Sequence, residues 1–122
     1  MKTPIIKYSD KFLNSISWFM TVGGITLWPF IVLREKYAND KRLKKRAAKI
    51  INHESIHIKQ QQELLVLLFY ILYFLEWLLK LPLYGRQAYY KISFEREAYD
   101  NDDNLNYLST RKKYAWIKRI ID

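Results

Sequence analysis

The sequence predicts a mainly α domain, with an α+β variant left open by one short β element. Residues 39–62 run without Gly or Pro through strong helix formers. Residues 63–85 form an apolar block of helix length, and the run near residues 24–33 is rich in β-formers. At 122 residues the chain is expected to be a single domain spanning 1–122, with one modest core.

The formal charge is +9, while half of the residues are hydrophobic and 16% are aromatic. An anionic membrane surface accounts for both properties together. Nucleic acid is not an expected partner, because the bases do not accompany Gly-rich or aromatic-stacking motifs that read bases. The chain has no cysteine, so any metal must be held by His, Asp or Glu.

Residues 1–38 form an apolar N-terminal segment. From Phe12 to Leu33 there is no charged residue, and Lys11 and Arg34 flank a stretch long enough for one bilayer crossing. Gly23, Gly24 and Pro29 oppose that reading, and "GITLWPFIVL" also reads as a strand after a glycine turn. Both readings stand at this level. The start lacks the basic cluster and the small-x-small site of a secretory signal, so the segment is expected to remain.

Residues 39–62 are predicted as one helix with Asn39 as its N-cap. Its first part belongs to a strongly basic stretch from Arg34 to Lys49, which suits a solvated face and equally a cytoplasmic headgroup surface. Residues 63–85 follow as an apolar helix or hairpin, interrupted by Glu76 and Lys80 and ended by Pro82 and Gly85. Such a helix is buried in protein or in lipid. A further helix is expected within 88–108, running from Ser93, its cap, to Leu108. In the basic tail, 110–122, Tyr114, Ile117, Ile120 and Ile121 fall on one side of an amphipathic helix.

The chemistry lies in "NHESIHIKQ", residues 52 to 60. His53 and His57 are the only histidines in the chain, and at i and i+4 they project from one helical face where both imidazoles reach one ion. Glu54 lies about 100° further round the helix, beside the ion, where its carboxylate can hold a water. A catalytic zinc usually takes a third protein ligand. Without cysteine or another histidine that ligand must be a carboxylate, and "FEREAYD", residues 94 to 100, offers Glu95 and Glu97.

His53-Glu54-Ser55-Ile56-His57, followed by Glu95-Arg96-Glu97-Ala98, resembles the HExxH…ExxA pattern of small membrane-associated gluzincin-type zinc metallopeptidases. Gln60 is similarly placed to the glutamine of their HExxHxxQ forms, whereas Tyr99 stands where many of them carry Asp or Asn. The resemblance covers roughly residues 50 to 100. It implies a minimal zincin-like fold, Zn2+ as cofactor, His53, His57 and Glu95 as ligands, Glu54 as general base, and a peptide or protein as substrate. It also implies an edge strand that holds substrate in extended form.

Candidate oxyanion donors are Tyr84, Tyr89, Tyr90 and Tyr99, and candidate partners of the imidazole N–H groups are Asp100, Asp102 and Glu63. The competing function is a non-catalytic basic membrane-surface protein whose metal site is structural or vestigial. Either way the expected location is a membrane surface, with the site facing the cytoplasm. A three-ligand site further requires that residues 64–83 not cross a bilayer as a simple span, since His57 and Glu95 would then emerge about 30 Å apart. The expected remedies are a break at Pro82 and Gly85 and a kink between residues 60 and 72.

Overall fold

The computed structural model describes residues 4–16 and 23–121. It is mainly α with one small sheet. The chain opens with β1 (Ile5–Tyr8) and α1 (Asp10–Ile16), then forms a hairpin of β2 (Gly24–Leu27) and β3 (Phe30–Leu33). The sheet order is β1-β3-β2, with β1 parallel and β2 antiparallel to β3. Gly24 is required where it stands, because a Cβ there would lie 2.6 Å from Leu33 Cδ2. The hairpin decides between the two readings of the N-terminal segment. A single bilayer crossing over 12–33 is corrected to a helix end and a hairpin, with residues 17–22 outside the described residues.

β2 is an edge strand, and the sheet packs on α3 (Lys44–Glu63) through a core of Ile31, Leu33, Tyr37, Ala47 and Ile58. The long helix starts later than the sequence suggests. Asn39 ends a short helix, α2 (Lys36–Asn39), and is not a cap. Asp40 caps instead, its side chain accepting the Arg42 amide at 3.0 Å at the head of a 3-10 turn over Lys41–Leu43. Asp40 thereby competes locally with the helix for a backbone hydrogen bond, which delays its start.

After Glu63 the chain breaks sharply. Leu65 and Val66 both take positive φ, 54° and 53°, and the Val66 amide donates to the Gln61 carbonyl at 2.7 Å. α4 (Leu67–Tyr84) then passes the site, tolerating Pro82 in its last turn and ending at Gly85 with φ 57°. A 3-10 turn and α5 (Ala88–Lys91) return the chain along α4. α6 (Ser93–Asn101) carries the candidate glutamates, and α7 (Tyr107–Thr110) follows a turn. Of the break expected at Pro82 and Gly85, the chain turns at Gly85 and runs helical through Pro82, and the kink expected between residues 60 and 72 lies at Leu65 and Val66.

Two expectations for the C-terminal half are corrected. The helix from Ser93 stops at Asn101 and not at Leu108, and Ser93 is its first residue, Ile92 holding the cap position. Ser93 donates from its amide and its hydroxyl to Glu76, both at 2.6 Å, so its polar groups serve α4. Among its described residues the tail after α7 forms a 3-10 turn over Ile117–Arg119 and no α-helix. Its anchor is Trp116, buried against Phe94 at a ring distance of 4.6 Å, while Tyr114, Ile117, Ile120 and Ile121 are exposed. One indole filling the core of Leu64, Phe69, Ile92 and Phe94 outweighs a stripe of isoleucines.

α4 is long and apolar enough to cross a membrane by length and composition. Within it Phe69 alone is buried, and Leu79 and Leu83 are 74% and 76% exposed. Its two charges point inward: Lys80 Nζ lies 2.7 Å from Glu76 Oε2 and also donates to the Lys91 carbonyl. The outer face of α4 is consequently apolar and free of charge.

Candidate metal centre

α3 has no Gly or Pro to interrupt it, so His53 and His57 keep their i, i+4 spacing and face α6. Ala98, fully buried, lets α6 approach closely. Asn52 holds the end of α6 in place, its side-chain amide reaching the carbonyls of Asp102 and Asn104 at 3.0 Å each. The result is convergence. Nε2 of His53 and Nε2 of His57 lie 3.1 and 3.0 Å from the same oxygen, Oε1 of Glu95. Among the described residues, these three donors form the group that fits a metal ion, all within 4.8 Å of one another. Donors 2.0–2.1 Å from a tetrahedral zinc stand about 3.4 Å apart, so small movements suffice.

The outer nitrogens are held as a metal site needs. Nδ1 of His53 lies 3.0 Å from Asp102 Oδ2, an acceptor, so this nitrogen carries the proton. Nδ1 of His57 lies 2.7 Å from Gln60 Oε1. The Gln60 amide is oriented by its other end, which donates to the Phe94 carbonyl at 3.1 Å and to Glu97 Oε1 at 2.9 Å. Both Nε2 atoms are thereby left facing Glu95. The other oxygen of Glu95 accepts from Tyr73 at 2.6 Å.

Burial alone would lower the pKa of His57, but the Glu95 carboxylate overrides burial and raises it to about 9. His53 is raised in the same contest. Burial would raise Glu95, and the two imidazoles hold it well below the usual carboxylate range. Protons thus occupy the places a cation would take.

Glu97, which the sequence left beside Glu95 as a candidate, turns the other way. It is fully buried and accepts Tyr107 at 2.6 Å and Arg111, which also forks onto Glu63 at 2.9 and 3.1 Å. Of the three acids considered as imidazole partners, Asp102 touches His53; Glu63 binds Arg111, and Asp100 binds Arg119. Asp102 reaches His53 from one turn beyond Ala98.

Glu54 sits beside the cluster, its Oε2 3.9 Å from His53 Nε2. The Thr26 hydroxyl lies 2.8 Å from its Oε1 and 3.0 Å from its backbone carbonyl. This ties the edge strand β2 to the site. Among the candidate tyrosines, Tyr99 stacks edge-on against His53 with ring centres 4.4 Å apart, and its hydroxyl lies 3.2 Å from that of Tyr89. Burial pushes Tyr99 up to about 12, keeping it a neutral donor. Tyr90 lines the cleft in front of the site, while Tyr84 is exposed and lies outside its lining.

That cleft, about 1580 Å³, is lined by His53 and Glu54, with His57 and Glu95 set behind them. Two residues escape a reading of sequence alone. Thr26 carries a signal, being the one hydroxyl residue in "GITLWPFIVL"; Tyr73 carries none that separates it from the other tyrosines. No protein-family model, curated protein or solved structure matches this chain.

Proposed function

We propose that the protein is a zinc metallopeptidase of the gluzincin type, resting on an anionic membrane surface. The observation that carries the reading is the meeting of two imidazole Nε2 atoms and one carboxylate oxygen, with Glu54 beside them on an open cleft. His53, His57 and Glu95 are the ligands. They would hold a zinc ion, which would supply a water of pKa lowered to about 7 and Lewis-acid polarisation of a scissile carbonyl.

The chain's own residues supply the rest. Glu54, positioned by Thr26, takes a proton from the attacking water and delivers it to the leaving amine. Asp102 and Gln60 fix the two imidazoles with Nδ1 protonated. Tyr99, neutral and against His53, is placed to donate to a developing oxyanion. β2 presents an edge on which an extended peptide can add backbone hydrogen bonds.

The membrane part of the reading draws on the apolar outer face of α4 and on the exposed bases Lys41, Arg42, Lys44, Lys45 and Arg46. Each fully buried Leu is worth about 1.5–3 kcal/mol, so a face of exposed leucines favours an interfacial position. The site then faces the cytoplasm, with the basic stretch on its headgroups.

Metal analysis of the purified chain beside a His53→Ala/His57→Ala variant tests the site; one zinc in the wild type and none in the variant is expected. Glu54→Gln should keep the metal and lose peptide hydrolysis by several orders of magnitude. Metal binding with no hydrolysis by either form would favour the non-catalytic membrane-surface reading.

A further inference from the structure

The cleft before His53 and Glu54 has two unlike walls. α3 contributes Arg46, Lys49 and Ile50, whereas α4 contributes Phe74, Trp77 and Leu81. The apolar wall does not stop at the rim. Phe74, packed on Trp77 at a ring distance of 6.0 Å, is 55% exposed and adjoins Ile71, Leu75 and Leu78 on the outer face. Because Glu76 and Lys80 neutralise each other on the inner side, no charge of α4 interrupts this surface, and Arg86, just past the helix, lines the cleft beside it. On the α3 wall Lys49 is offset by Asp103 at 3.0 Å and Asp102 at 3.9 Å, both of which line the cleft, and the exposed Arg46 stands one turn further out.

A freely soluble polar peptide would leave Phe74, Trp77 and Leu81 wet. A segment entering from a bilayer would not, since the surface that meets the lipid is the surface that leads to the site. We propose that the cleft takes the juxtamembrane stretch of a membrane-anchored polypeptide, its apolar side chains along α4 and its acidic flank toward Arg46. This names the substrate of the metallopeptidase reading and rests on it for cleavage, but not for binding.

The test uses the full-length Glu54→Gln protein, zinc-loaded, and two fluorescent peptides sharing one acidic sequence, of which one carries a Leu/Ala tail. The tailed peptide should bind about tenfold tighter or more, the worth of one buried apolar side chain. Trp77→Ser, or Leu81→Ser should the first fail to fold, should abolish the preference, while Leu79→Ser on the outer face should not. Equal binding of the two peptides overturns the proposal, as does a preference that only Leu79→Ser removes. Wild-type protein offered the same peptides separates the two readings. Retained preference without hydrolysis overturns the peptidase and leaves the cleft's ligand assigned; hydrolysis without preference does the reverse.

Discussion

Gln60 Oε1 lies 2.7 Å from Nδ1 of His57, and the other end of the same amide is anchored on Phe94 and Glu97. A side chain three residues along α3 therefore decides which imidazole nitrogen faces the metal position. Gln60→Ala removes that decision without removing a ligand. Zinc affinity measured by chelator competition should fall about tenfold to a hundredfold, with the helix content unchanged. Unaltered affinity would show that His57 is oriented by its surroundings and not by Gln60.

The two glutamates of α6 should separate cleanly. Glu95→Ala deletes the oxygen on which both imidazoles converge, and zinc binding should be lost. Glu97→Ala should instead destabilise the fold by about 3 kcal/mol, because Arg111 is left buried with Glu63 as its remaining acid. Thermal unfolding beside zinc titration distinguishes these outcomes, and zinc loss in Glu97→Ala greater than in Glu95→Ala would relocate the site.

A metal bound at the proposed site would compete with the proton on His57. Its pKa in the metal-free fold is about 9, above the ordinary 6.5, so its share of stability is full below about pH 6.5 and is lost as pH rises through 9. Glu95, lowered, contributes above the ordinary carboxylate range and loses that share as pH falls through it. The metal-free protein should thus be most stable in mildly acidic solution. Zinc must displace the proton, so calorimetric titration near neutral pH in buffers of different ionisation enthalpy should report proton release. Binding without proton release would contradict the charged state of the cluster.

How far the sequence reaches depends on the range of the interaction. His53 and His57 are legible because i, i+4 spacing acts within one helix, and a β element near 24–33 is legible because β-formers follow Gly24, whereas its division into the two strands of a hairpin is not. The absence of cysteine narrows the third ligand to Glu95 or Glu97, and resemblance alone selects Glu95. Tyr73 and the choice of Asp102 over Asp100 depend on tertiary contacts across 22 and 49 residues, which no local pattern carries. The tail misled for the same reason, since Trp116 finds a ready pocket beside Phe94 that its neighbours in sequence do not announce.

The last prediction concerns how α4 meets the membrane. His57 Nε2 and Glu95 Oε1 are 3.0 Å apart, although the whole apolar helix lies between them in sequence. A simple crossing over residues 64–83 would set them about 30 Å apart. The turn at Leu65 and Val66 and the reversal at Gly85 remove that separation, so the chain before α4 and the chain after α5 occupy one side. An α4 lying along the interface satisfies both its apolar outer face and this constraint. Single cysteines introduced at Lys59 and Arg96 of protein bound to sealed anionic vesicles should therefore react with an impermeant thiol reagent from the same side. Leu79→Asp combined with Leu83→Asp should release the protein from those vesicles, because two charges then enter the apolar face. Opposite-side labelling would break the cluster of His53, His57 and Glu95 and the peptidase built on it; persistent binding by the double aspartate variant would move the docking face away from α4.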